Sequence, residues 1–212
     1  PILFLGLAVF FTPGCDKDDE ETPTNTVTDV DGNIYKTVTI GTQTWMAENL
    51  RSTVFNNGDP IGTTSSSTLN VSGELMPVYW WNCKDNETYS EHYGRLYTWY
   101  TVSDPRGVCP AGWHIPSNAE WATLVTYLTV NGYGFEGSGD DIGKALSSTR
   151  EWLASSIPGT PGNDPESNNN SGFNAIPGGF RLSNGVFNNF GSQTNWWSSD
   201  KGSYKILYST QS

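Results

Sequence analysis

The stretch Pro116-Ser117-Asn118-Ala119-Glu120-Trp121-Ala122-Thr123-Leu124-Val125-Thr126-Tyr127-Leu128 decides how the rest of the chain is read. Ser117 stands just before a run with helical spacing, and Glu120 follows three residues later, which is the pattern of a capping box. Trp121, Leu124, Val125 and Leu128 then share one face and predict a buried stripe. Toward the N-terminus, Tyr89, Tyr93, Leu96, Tyr97 and Tyr100 also fall on one helical face, and Pro105 and Gly107 close that region. Toward the C-terminus a short helix is predicted from Asp140 to Ser147. Outside these helices the period changes to two. Ile34 to Ile40 alternates and is rich in β-branched residues, so it reads as a strand, and Gly41-Thr42 turns it into a second strand from Gln43 to Ala47. Tyr79-Trp80-Trp81 is a short aromatic strand between polar loops. From Phe173 onward, short strands are separated by Gly and Asn turns. Helices in the middle with strands at both ends make an α+β pattern: an N-terminal hairpin, two main helices and a loop-rich antiparallel sheet.

Composition fits a domain outside the cell. Hydrophobic residues make up 35% of the chain, but aromatics reach 13% with nine tryptophans, so the core is expected to rest on a few large rings. The net charge of −11 argues against nucleic acid and anionic headgroups as partners, because both require basic patches.

The N-terminal segment predicts export. Pro1 to Phe11 is apolar apart from one glycine, too short for the about 20 residues that span a bilayer but the length of a signal-peptide core. Residues 1–14 are therefore read as part of a signal peptide. Cys15 follows at once and opens an acidic run, Asp16-Lys17-Asp18-Asp19-Glu20-Glu21. This context resembles a bacterial lipoprotein signal with Cys15 as the acylated residue. Residues 15–26 hold almost nothing apolar and read as a flexible tether. The expected location is the bacterial outer membrane, reached through the lipid alone and facing outward. The folded domain is expected over 27–212.

Five ordered motifs carry a family resemblance. They are Gly41-Thr42-Gln43-Thr44-Trp45-Met46-Ala47-Glu48-Asn49-Leu50, Tyr93-Gly94-Arg95-Leu96-Tyr97-Thr98-Trp99-Tyr100, Cys109-Pro110-Ala111-Gly112-Trp113-His114-Ile115-Pro116-Ser117, Ser171-Gly172-Phe173-Asn174-Ala175-Ile176-Pro177-Gly178-Gly179-Phe180-Arg181 and Trp196-Trp197-Ser198-Ser199. Together they resemble the Fibrobacter succinogenes major paralogous domain of Bacteroidota and Fibrobacteres surface proteins. That family is similar in turn to the C-type-lectin-like fold and its formylglycine-generating-enzyme branch. The resemblance implies a further closing strand with a cysteine to pair with Cys109, so the domain reads as truncated at its C-terminus. Cys83 and Cys109 are left to pair with each other or to stay free.

No catalytic set emerges from the residues. His114 has no orienting carboxylate or nucleophile at a telling spacing, and His92 beside Glu91 reads as solvated. The cysteine pair of formylglycine-generating enzymes is missing from 110–212. Asp29, Asp31 and Asn33 place oxygens at alternate positions, as a calcium loop does. However, Asp31-Gly32 is a hairpin-turn dipeptide, and a strand occupies the place of the bidentate Glu. A turn is the expectation, with calcium as the alternative and no other cofactor. What the sequence offers is binding. Trp81, Trp196 and Trp197 are candidate stacking platforms, with one ring of each Trp pair facing in and its neighbour out. Asn188 and Asn189, like the run at Asn168, offer amides to hydroxyl groups. The expected function is a non-catalytic surface module that binds an external glycan or protein or serves adhesion. The alternatives are a surface enzyme acting on polysaccharide and a structural subunit of a surface assembly.

Overall fold

The computed structural model describes residues 25–211. The expected signal segment, Cys15 and most of the expected tether lie outside the described residues. Three antiparallel strands, β1 (Thr26–Thr28), β2 (Ile34–Ile40) and β3 (Gln43–Met46), form a sheet in the order β1-β2-β3. The Asn25 carbonyl already accepts the Thr37 N–H at 2.7 Å, so the domain starts slightly before Val27. Gly32 takes φ +84° in the β1–β2 turn, a conformation that costs glycine little. Gly41 does the same at φ +62° in the β2–β3 turn, and there even a Cβ would come within 2.6 Å of the Tyr127 ring.

The stretch Tyr89–Tyr100 departs from expectation. It is not one helix but α1 (Ser90–Tyr93), then strand β5 (Arg95–Tyr97) paired with β4 (Trp80–Asn82), then α2 (Trp99–Val102). Gly94 breaks the helix at φ +72°, where a Cβ would collide with Asn49 at 2.5 Å. Pairing of Leu96 with Trp81 then outweighs the helical spacing.

The helix that opened the sequence reading is present as α3 (Asn118–Val130). The Ser117 hydroxyl accepts the Glu120 N–H, and the Glu120 carboxylate accepts the Ser117 N–H at 2.8 Å, which completes the capping box. Its buried stripe is narrower than predicted. Trp121, Leu124 and Leu128 are buried, whereas Val125 sits off the stripe at 40% exposure. Because α1, α2 and α4 (Gly143–Leu146) have four residues each, α3 is the one long helix among the described residues. The C-terminal part is a set of two-stranded antiparallel sheets: β6 (Phe180–Arg181) with β7 (Phe187–Asn188), and β8 (Gln193–Trp197) with β9 (Tyr204–Tyr208). The architecture is thus α+β, with small sheets in place of one continuous one.

Two clusters hold the fold together. The larger joins α3 through Trp121, Leu124 and Leu128 to Ile40, Trp45, Trp152, Phe173 and Leu207, with Trp196 packed against it. Its rings meet at tilted angles, with Trp45 and Trp121 centroids 4.8 Å apart. The smaller is built almost wholly by loops: Phe55, Ile61 and Val108, flanked by Trp80, Tyr97 and Cys109.

Candidate functional site

An apolar cavity of about 1790 Å³ opens between these elements. The strand β3, the β5–α2 segment, the loop before α3 and strands β8 and β9 all contribute to its wall. Sequence-distant candidates meet there: Trp81, Asn189, Trp196 and Trp197 all line it, and Asn188 does not. All five quoted motifs also supply lining residues, among them Trp45, Arg95, His114, Arg181 and Trp197.

The polar groups on this wall are unusual. The indole N–H groups of Trp45, Trp99 and Trp121, the Arg95 Nε and the Gln43 Oε1 are buried without a hydrogen-bond partner. A buried polar atom without a partner, protein or water, costs about 1–3 kcal/mol. Other indoles are satisfied, two of them on the same wall: Trp80 donates to the Ile61 carbonyl, Trp81 to the Thr64 hydroxyl and Trp197 to the Tyr97 carbonyl.

The family model for the Fibrobacter succinogenes major domain matches residues 38–211, which is more than half of the chain. The chain belongs to that family. No curated protein and no solved structure matches it.

Within this Fibrobacter succinogenes major domain, the paired tryptophans do alternate. Trp196 turns to the core, 5.7 Å from both Trp121 and Phe173, while Trp197 turns to Tyr204. Both are half-buried, so neither is a fully exposed platform. In the other pair Trp81 is the buried one, at 5%, and lies under the Arg181 guanidinium at 3.8 Å. The asparagines mostly serve the fold. Asn189 takes φ +57° and donates to Gln193, and Asn168 is buried and bridges the Ser148 and Pro161 carbonyls.

Both histidines have partners that the sequence reading missed. His114 lies 2.7 Å from Glu120, the same carboxylate that caps α3, and His92 lies 2.6 Å from Glu151, which is distant in sequence. Burial pushes the Glu120 pKa up, but the Ser117 and His114 contacts outweigh it and hold the carboxyl below its usual value. Cys83 and Cys109 are free thiols rather than a bridge. Cys83 packs beside Gly94 and Gly178, whereas Cys109 packs in the loop-built cluster. Burial raises both thiols to about 12.

The residues of the calcium alternative are engaged in hydrogen bonds. The Asp29 carboxylate accepts from the Asn33 N–H and side chain, the Tyr35 hydroxyl and the Ser52 hydroxyl. Asp31 accepts from the Thr53 N–H and hydroxyl. Among the described residues no group of three His, Cys, Asp or Glu side chains converges as a metal site. No helix among them is long and apolar enough to cross a membrane.

Proposed function

We propose that this chain is a non-catalytic surface module whose cavity binds an external ligand, glycan or protein. The observation that supports this reading is the convergence of all five motifs on one large apolar cavity. A large apolar pocket with a few convergent polar groups is the general form of a ligand site. The same reading takes Cys15 as the lipid anchor that displays the module outside the cell, and the fold as C-type-lectin-like, as the family resemblance implies. The reading needs no calcium, because the Asp29 oxygens accept hydrogen bonds from Asn33, Tyr35 and Ser52. Binding is preferred to catalysis because the Glu120 that meets His114 is committed to the helix cap, and no hydroxyl or thiol nucleophile is bonded to His114 among the described residues.

Glycan arrays and pull-downs with the full chain test the proposal. A ligand is expected whose binding is lost in Trp99→Ala, a change on the cavity wall. Failure of every glycan and protein probe would remove the reading. Release of reducing sugar from a polysaccharide, abolished by one carboxylate change, would replace it with an enzyme.

A further inference from the structure

Strands β3 and β9 each leave one edge unpaired beside the cavity. β3 is the last strand in the order β1-β2-β3, and β9 pairs with β8 alone. The parity of the ladders shows which backbone groups are left over. The Ala47 N–H donates to the Lys36 carbonyl at 2.8 Å, and bonded positions alternate in an antiparallel pair. Gln43 and Trp45 therefore face β2, and Thr44 and Met46 turn their N–H and C=O groups outward. On β9, the Ser198 N–H donates to the Ser203 carbonyl and the Ser209 N–H to the Ser192 carbonyl. The register then sets Lys205 and Leu207 against β8 and turns the backbone groups of Tyr204, Ile206 and Tyr208 away. These outward groups have no backbone partner among the described residues. All five residues line the cavity.

Free edges are commonly blunted by charge, proline or a bulge. β9 has one such device, the charge of Lys205. β3 has neither charge nor proline, and its register runs without a bulge. An edge of this kind repeats donor and acceptor at the spacing of a polypeptide strand, and strand addition is a recurring mode of peptide recognition. A sugar chain has no such repeat.

The walls define the side chains of the added strand. The cavity is apolar, and its acidic and basic residues balance, Glu48 and Glu120 against Arg95 and Arg181. Neither sign of charge is selected. Successive side chains of a strand point to opposite faces, so apolar residues at every second position would lie together on the apolar wall. The volume of about 1790 Å³ exceeds the about 300–1,000 Å³ of pockets for drug-sized ligands. It has room for a segment of several residues.

We propose that the cavity takes an extended, uncharged segment of another protein, apolar at alternate positions, which adds a strand to the free edge of β3. This rests on the proposed function above and narrows its ligand to polypeptide. The probe is a phage-displayed library of random ten-residue peptides, selected on the full chain, with the enriched sequences then synthesised. Enriched peptides are expected to be uncharged and to alternate. Each is N-methylated at every second residue, in one register or the other. A strand pairs through one edge, so one register should weaken binding at least about tenfold, the scale of one hydrogen bond, and the other should leave it unchanged. Bound peptide is expected to protect the Thr44 and Met46 amides from exchange. Thr44→Pro removes an outward N–H and no bond to β2, a change that edge strands tolerate, and should abolish binding. The two methylated registers test the same point on the unaltered chain. Equal loss in both registers overturns the proposal, as does binding that leaves Thr44 and Met46 unprotected. So does protection of those amides by the chain itself or by a second copy before any peptide is added. A glycan hit with no enriched peptide also overturns it and leaves the proposed function standing. If no probe of either kind binds, both fall.

Discussion

The two cores of this domain draw on different elements. The larger takes Trp45, Trp121 and Trp196 from β3, α3 and β8, and adds Trp152 and Phe173 from loops. The smaller takes Phe55, Ile61 and Val108 from loops. Yet the loop-built core is the one whose polar handles are satisfied. There Trp80 donates to the Ile61 carbonyl and Tyr97 to the Ser52 carbonyl. In the larger core Trp152 donates to the Ala175 carbonyl, but Trp45 and Trp121 leave their indole N–H groups buried without a protein partner.

That contrast can be broken by mutation. The largest effect is expected in the loop core: Phe55→Ala removes a ring that is fully buried beneath Arg106 and should cost about 3–5 kcal/mol in urea unfolding. A smaller cost there would mean that the loops repack. The sharpest comparison is Trp80→Phe with Trp121→Phe. The first strands the Ile61 carbonyl, at about 1–3 kcal/mol. The second strands no partner and is expected to cost less; the reverse order would show that the Trp121 N–H is satisfied in solution. Ser117→Ala removes one arm of the capping box and should cost about 1 kcal/mol, seen as a lower melting temperature.

The mildest perturbation is pH. Burial pushes the Asp29 pKa up, but its bonds from Ser52, Tyr35 and Asn33 outweigh that and hold the carboxyl below its usual 3.8. A depressed carboxyl contributes stability above its unfolded value and loses it as pH falls through its folded value. The stability that Asp29 contributes is therefore expected to be intact above about pH 5 and to fade below 3.8. Asp29 grips Ser52 at the entry to the loop core, so that half should loosen first in acid, as amide exchange around residues 52–55 would report. Asp29→Asn should flatten this acid limb.

These contrasts also mark what was legible in the sequence. Hairpin and capped helix were readable because period, turn glycines and the Ser117/Glu120 pair are local signals. The loop core was not, because Phe55, Ile61 and Val108 have no common period and meet only through tertiary contacts. Tyr89–Tyr100 misled for a related reason: its spacing is helical, but Gly94 and pairing with β4 are decided by Asn49 and Trp81, which are distant in sequence. On the cavity wall, Trp81, Asn189, Trp196 and Trp197 stand out in the sequence by their chemistry. Trp45, Trp99, Trp121 and Arg95 line the same wall but do not stand out, because a sequence shows which side chains carry donors but not which of them find acceptors. Their one visible signal was membership in the same motifs.

The Gly41 turn has a consequence for the order of events during folding. The β2–β3 hairpin closes over two residues and needs only its neighbours, so it can form within microseconds. Its docking cannot follow at that pace. Gly41 must seat against Tyr127, and the Gln43 amide must reach the Glu120 carbonyl, 77 positions along the chain. Contacts so far apart in sequence slow the search, because loop closure comes before any reward. A side chain at position 41 would leave the hairpin itself strained and its seat on α3 blocked. Stopped-flow folding of Gly41→Ala is therefore expected to show a slower main phase than the parent chain. An unchanged rate would place the docking of hairpin and helix after the rate-limiting step.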